Sequence, residues 1–143
     1  MGKEIERKWL VNSLEGIELQ NPQNIKDYYF NKYTRLRQID NEVLITIKSD
    51  GTIERDEFEF TISKAKEKYD LKPVLCKKRY KYPYKGNTFE INVFDIYKGS
   101  NKLVIAEIEL QDKEQVIEIP EFFGQEITEN VFFYGYNLFQ FLK

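Results

Sequence analysis

Seven stretches of the chain alternate between apolar and polar residues, the pattern of strands that have one apolar face. They lie at residues 3–11, 33–39, 43–49, 53–61, 73–83, 87–96 and 102–111, and residues 28–30 are a candidate for another. Asp40-Asn41, Asp50-Gly51 and Lys85-Gly86-Asn87 fall between neighbouring stretches and predict tight hairpin turns. Many short strands joined by hairpins favour a mostly β fold, an antiparallel barrel or sandwich.

Two segments depart from the alternating pattern. Residues 61–72 (TISKAKEKYDLK) are rich in Lys, Glu and Ala and end before Pro73, which predicts a helix that crosses between strands. Residues 126–143 place Phe, Tyr and Leu at helical spacing and are expected to cap the domain. Because no linker or repeat divides the chain, we expect one domain over residues 1–143.

The polar faces of the predicted strands carry charges rather than neutral polar groups. Residues two apart on a strand share a face, so Glu4 lies beside Glu6, and Arg35 lies beside Arg37. Alternation alone is common in sheets with one solvated face. Like charges placed this closely repel, however, which indicates that these faces bind something of mixed charge. The bases are Lys8, Arg35, Arg37, Lys48, Lys77 and Arg79, and the acids are Glu4, Glu6, Glu57, Glu59, Glu90, Glu107 and Glu109, with Asn92 beside Glu90.

A polyphosphate together with divalent cations satisfies both sets of charges. Arg and Lys bind phosphate oxygens, whereas carboxylates bind the hard cations Mg²⁺ and Mn²⁺. If the sheet closes with this face inward, the channel must hold water, because dry burial of unpaired charge costs several kcal/mol or more. The apolar faces would then point outward, with the helix at 61–72 and the C-terminal segment covering part of them.

Composition excludes several kinds of catalytic and metal-binding site. The chain has 143 residues, no histidine, one cysteine (Cys76) and a formal net charge of −2. The absence of histidine excludes Ser-His and Cys-His dyads and His-ligated zinc, and the small net charge predicts no nucleic-acid or membrane partner. A single cysteine without a secretory signal or long apolar run favours the cytoplasm. Oligomeric state does not follow from the sequence.

These residues resemble a known family in order along nearly the whole chain. Glu4-Ile5-Glu6-Arg7-Lys8 is similar to the ExExK signature of the CYTH superfamily, the triphosphate tunnel metalloenzymes. The similarity continues through Arg35-Leu36-Arg37, Thr46-Ile47-Lys48, Glu57-Phe58-Glu59, Lys77-Lys78-Arg79-Tyr80, Phe89 to Phe94, Ala106 to Leu110, Gly124 to Thr128, Tyr134 and Asn137. One position departs from the pattern: Asn92 stands where family members usually carry Asp, which puts one metal or water site in question.

The resemblance implies a closed eight-stranded antiparallel β-barrel tunnel with a charged lumen and a few flanking helices. It also implies hydrolysis of triphosphate, most often inorganic tripolyphosphate, by water activated by one or two Mg²⁺ or Mn²⁺ ions. We expect the six bases named above to bind phosphates, with Lys8, Lys48 and Arg79 catalytic. Glu4, Glu6, Glu90, Glu107 and Glu109 would hold the metal, and Glu57, Glu59 and Asn92 would support these groups from behind.

Other interpretations of the sequence remain open. The chain could be a nucleotide cyclase or a nucleoside or thiamine triphosphatase, although no base-binding motif is visible. It could also be a non-catalytic module that binds polyphosphate or nucleotides. For single residues we favour packing roles: Cys76 as a small hydrophobe, Trp9 on the outer face, and Tyr28 and Tyr29 at a barrel mouth, where proton transfer near Lys8 is the alternative.

Overall fold

Eight antiparallel strands close into a barrel, as predicted, in this computed structural model, which describes residues 2–63 and 71–142. Around the ring the order is β1-β5-β4-β3-β2-β6-β7-β8, and β8 returns to pair with β1. The strands are β1 (Gly2–Leu10), β2 (Gln23–Tyr29), β3 (Thr34–Ile39), β4 (Glu42–Lys48), β5 (Glu54–Ser63), β6 (Leu75–Tyr84), β7 (Asn87–Lys98) and β8 (Asn101–Glu109).

Hairpin turns fix the register of neighbouring strands. Ile39 pairs with Glu42 across the Asp40-Asn41 turn, where Asp40 adopts a positive φ of 51°. Tyr84 pairs with Asn87 across Lys85-Gly86, and both turn residues have positive φ, as the tight hairpins with matching twist require. Since a shift of one residue would reverse every side chain, these turns hold the ionic faces inward.

Two predicted elements differ from the structure. The strand predicted at residues 28–30 begins five residues earlier, at Gln23, because Ile25 and Asp27 continue its alternation. The helix predicted at 61–72 is wrong at its start, since residues 61–63 extend β5 and pair with β4. Residues 64–70, which make up most of the predicted helix, lie outside the described part of the chain.

Loops cover part of the barrel's outer surface. Trp9, 2% exposed, packs against Phe89 and Phe123, as predicted for an outward-facing residue. Beside it, Val11, Ile91, Val104 and Ala106 form a second cluster with Leu14, Leu19 and Phe122. Cover for this side therefore comes from the segments after β1 and after β8, which the sequence pattern did not assign to that role.

The C-terminal segment packs against the barrel and contains a 3-10 helix (Val131–Phe133) and α1 (Gly135–Gln140). Leu138 and Phe139 of α1 are buried, and the Phe139 ring contacts both Tyr28 and Tyr29. Upstream, Arg7 donates two hydrogen bonds to Glu126, of 2.9 and 2.7 Å, and ties the segment to β1. Across the described residues, no helix combines the length and apolar character needed to cross a membrane.

Candidate active site

The barrel encloses a cavity of about 580 Å³ lined by the ionic faces of its strands. Inward-facing positions alternate along each strand, so the register places bases and acids from all eight strands around one space. Of the residues predicted for the site, Asn92 alone lies behind the lining, fully buried. The others line the cavity: Lys8, Arg35, Arg37, Lys48, Lys77, Arg79, Glu4, Glu6, Glu57, Glu59, Glu90, Glu107 and Glu109.

On one side of the cavity, Lys48 bridges acids from two strands. Its Nζ lies 2.8 Å from Glu4 Oε2 on β1 and 3.4 Å from Glu57 Oε2 on β5. Arg55 of β5 approaches Glu4 from another direction, with Nη2 3.5 Å from Oε1. The carboxylate of Glu4 thus lies between two bases, Lys48 and Arg55, which hold it in place.

Lys8 lies next to Glu6 of its own strand, with 3.2 Å between Nζ and Oε1. Burial alone would lower the pKa of Lys8, but Glu6 and Glu107 outweigh it and raise that pKa above its ordinary value. Lys8 therefore carries a full positive charge near neutral pH, although its side chain is largely buried.

Arg79 lies at the centre of a network that joins three strands. Its Nε donates to Asn92 Oδ1 at 2.9 Å, and its Nη2 donates to Glu107 Oε1 at 3.0 Å. Glu90 lies 3.5 Å from Nη1. The Asn92 amide in turn donates to the Ile105 carbonyl at 3.3 Å, which fixes its oxygen toward Arg79. Asn92 therefore presents a fixed acceptor to Arg79 from behind the cavity lining.

Arg37 is paired with Asp27, a lining residue that the sequence analysis missed. Arg37 donates two hydrogen bonds to the Asp27 carboxylate, of 2.7 and 2.9 Å, and Asp27 is only 1% exposed. Burial would raise the pKa of Asp27, but Arg37 and Arg35 lower it well below its usual range. Asp27 thus neutralises part of the charge of Arg37 and holds the guanidinium in place.

Two other bases have donors left for an anion. Burial, and then the nearby charges of Arg79 and Arg37, lower the pKa of Lys77 well below its ordinary value. Within residues 2–63 and 71–142, no carboxylate forms an ion pair with Lys77, and the buried Nε of Arg35 has no hydrogen-bond partner. A multiply charged anion would relieve the repulsion among these groups and satisfy the Arg35 donor.

Acids gather on the three neighbouring strands β1, β8 and β7. Glu6 pairs in register with Glu109, and Glu107 pairs with Glu90. Partial burial, and then the charges of Glu4 and Glu6, raise the pKa of Glu109. Burial and the charge of Glu107 raise the pKa of Glu90, although Arg79 acts in the opposite direction. Carboxylate repulsion of this kind is relieved by a bound cation.

These five acids form the acidic cluster: Glu4, Glu6, Glu90, Glu107 and Glu109. Because all five side chains offer carboxylate oxygens, the cluster fits a hard divalent cation. Among the described residues, no three acids are gathered closely enough to hold a metal as they stand. Glu4, Glu6 and Glu107 instead face Lys48, Lys8 and Arg79. Binding of a cation would therefore require these carboxylates to turn away from their bases. The bases released in this way could then bind an anion.

Arg55 also lines the cavity but escaped the sequence analysis. It lies two positions before Glu57, so the same alternation could have identified it. Tyr29, which the sequence analysis placed at a barrel mouth, lines the cavity two positions after Asp27. Tyr28 does not line the cavity, although its ring contacts Phe139 as the Tyr29 ring does. Tyr134, which comes from the C-terminal segment, lies outside every predicted strand. The family resemblance included this residue, but strand alternation could not have assigned it to the lining.

A closed antiparallel barrel whose cavity is lined by interleaved bases and acids defines the class of tunnel proteins with a charged lumen. Comparison with known proteins agrees with this class. The model of the CYTH domain family matches residues 2–133. An inorganic triphosphatase of Acetivibrio thermocellus is 35% identical, with 96% of this chain and 94% of that protein aligned.

A second inorganic triphosphatase, from Nitrosomonas europaea, is 34% identical over 89% of this chain and 90% of its own length. A solved structure described as an inorganic triphosphatase superposes with a TM-score of 0.64 at 26% identity, covering 97% of this chain and 95% of that one. The chain belongs to the CYTH domain family, whose triphosphatases are metal-dependent.

Proposed function

We propose that this protein is a hydrolase that cleaves inorganic triphosphate in its tunnel with the aid of Mg²⁺ or Mn²⁺. The observation that carries the proposal is the buried Nε of Arg35, which has no hydrogen-bond partner, close to the mutually repelling bases Lys77, Arg79 and Arg37. The same cavity holds the repelling acids Glu109 and Glu90. Such a lumen favours simultaneous binding of an anion and a cation. The inorganic triphosphatases among the relatives support triphosphate as that anion.

In this proposal the bases hold the phosphate chain. Arg35, Arg37 and Lys77 bind phosphate oxygens and, together with the other bases, fix the chain along the tunnel. Lys8, Lys48 and Arg79 also neutralise negative charge that develops as the phosphoanhydride bond breaks, which is the main contribution a protein makes to phosphoryl transfer. These three are the residues we assign as catalytic.

The acids of the cluster would hold one or two metal ions. When bound, Mg²⁺ or Mn²⁺ supplies charge neutralisation on the phosphates and activates water for attack. Glu4, Glu6, Glu90, Glu107 and Glu109 are the proposed ligands. Elsewhere in the lining, Glu59 accepts a hydrogen bond of 2.6 Å from Thr46, which also contacts Arg35, while Glu57 lies beside Lys48. Together with Asn92, these residues orient the bases.

A phosphate-release assay with defined substrates tests the proposal. Purified protein is incubated with inorganic tripolyphosphate, ATP or thiamine triphosphate, each with Mg²⁺, Mn²⁺ or EDTA. We expect phosphate and pyrophosphate from tripolyphosphate with metal and none with EDTA. A cyclic nucleotide from ATP would identify a cyclase instead, and tight binding of tripolyphosphate without turnover would identify a non-catalytic module.

A further inference from the structure

Tyr134 of the C-terminal segment lies beside two lumen bases from neighbouring strands. Its ring centroid is 5.3 Å from Lys8 Nζ on β1 and 5.4 Å from Arg55 Cζ on β5, distances typical of cation–π contacts. Its hydroxyl donates a hydrogen bond of 3.3 Å to the carbonyl of Gly51, in the loop between β4 and β5. Tyr134 is thereby fixed to one side of the barrel mouth.

The next residue touches the opposite side of the same mouth. A Cβ on Gly135 would overlap the hydroxyl of Tyr29, the last residue of β2, so only glycine allows this approach. Tyr136 then packs edge-on against the Tyr29 ring, with 5.9 Å between centroids. In the eight-stranded ring β2 is four strands from β1, which places the two contacts diametrically across the barrel.

The segment therefore passes over the tunnel from rim to rim. Val131, Phe133, Tyr134, Gly135, Tyr136 and Asn137 all line the cavity. Just beyond, Leu138 and Phe139 are buried in a cluster with Leu75 and Phe94, which anchors the crossing. On the other side, the Arg7 bond to Glu126 holds the segment to β1. A phosphate held by Lys8 and Arg55 would have the Tyr134 ring immediately next to it.

We propose that Tyr134 determines substrate specificity by closing this mouth to triphosphates that carry a nucleoside. An inorganic phosphate held by Lys8 and Arg55 needs no room beyond these bases, whereas a ribose and base attached to that phosphate would occupy the position of the Tyr134 ring. The inference rests on the proposed triphosphatase activity, and it names the feature that would restrict that activity to inorganic triphosphate.

The test compares kcat/KM for inorganic tripolyphosphate and for ATP, each with Mg²⁺, in the wild-type protein and in Tyr134→Ala. Removing the ring opens the mouth, so the ratio of the two values should shift toward ATP by about tenfold or more, the scale on which pocket shape discriminates. Tyr134→Phe keeps the ring and should keep the wild-type ratio. Phe132→Ala is the matched control, because Phe132 lies in the same segment without lining the cavity.

The ratio separates specificity from a structural role. A loss of stability, or of the cation–π contacts, lowers both kcat/KM values together and leaves the ratio unchanged. If Tyr134→Ala hydrolyses tripolyphosphate but keeps the wild-type ratio, the inference is wrong while the triphosphatase function stands. If wild-type protein fails to hydrolyse tripolyphosphate, the proposed function itself fails.

Discussion

Arg37 and Asp27 form a buried ion pair joined by two parallel hydrogen bonds, of 2.7 and 2.9 Å, in the wall of the tunnel. The two residues lie opposite one another on β3 and β2, so the strand register itself brings them together. Arg37 lines the cavity and is a proposed phosphate ligand, which makes Asp27 the group that positions it.

Removing one member of this pair should destabilise the fold. Asp27→Asn leaves the Arg37 charge buried without its counter-ion, and we expect the free energy of unfolding to fall by about 3–5 kcal/mol. Chemical denaturation measures the change. The double variant Asp27→Leu/Arg37→Met removes both charges and should recover much of the loss. A single variant within about 1 kcal/mol of wild type would show that the pair is solvated, as surface pairs are.

The same pair predicts a loss of stability in acid. The pKa of Asp27 is lowered in the folded protein because Arg37 outweighs the effect of burial. The unfolded chain thus binds this proton more readily, so the stabilisation is complete above the ordinary pKa of about 3.9 and is lost as pH falls toward the folded value. Urea titrations from about pH 6 to about pH 3 should show the gap between wild type and Asp27→Asn narrowing. A constant gap contradicts this prediction.

The Arg79–Asn92 contact predicts that an acceptor, not a charge, is needed at position 92. Asn92→Leu leaves Arg79 Nε without its partner and should lower kcat/KM for tripolyphosphate by about 10- to 100-fold through misplacement of the guanidinium. Asn92→Asp keeps an acceptor and should retain most of the activity. Equal losses in the two variants would show instead that the amide donor to Ile105 is what matters.

The acidic cluster predicts cation binding that depends on Glu109. Burial, and then the charges of Glu4 and Glu6, raise the pKa of Glu109. A divalent cation should relieve the repulsion among these carboxylates and raise the melting temperature. Glu109→Gln should need about tenfold more Mg²⁺ or Mn²⁺ for the same shift. The control is Glu118→Gln, an exposed acid paired with Lys85 away from the cavity. Identical titrations for both variants would place the cation elsewhere.

Strand alternation accounts for most of what the sequence predicted. It placed Lys48 and Glu57 on inward faces, and their side chains lie 3.4 Å apart in the barrel. It missed Asp27 because two tyrosines in succession hide the alternation of apolar and polar residues there. The predicted strand was therefore limited to residues 28–30. Arg55 was overlooked although it shares the face of Glu57.

Features set by tertiary packing could not be derived from local pattern. The crossing of Tyr134 and Gly135 over the mouth depends on where α1 anchors, through Leu138 and Phe139. Cover for Trp9 comes from Phe123, in a segment that has no regular secondary structure and hence no period to recognise. Predicted polar alternation gives the direction of a side chain but not its partner, which is why the Arg79–Asn92 bond also appears only in three dimensions.

The most direct test of the account is the rate of phosphate release from tripolyphosphate by Lys48→Ala and Arg79→Ala, compared with Lys78→Ala. Lys78 is exposed on β6, one residue from Arg79 and on the opposite face. We expect turnover to fall by about 100-fold or more in the two lumen variants, the scale of lost electrostatic stabilisation, with the circular dichroism of folded protein retained. Lys78→Ala should match wild type. Full activity in both lumen variants would contradict the assignment of the tunnel as the site of catalysis.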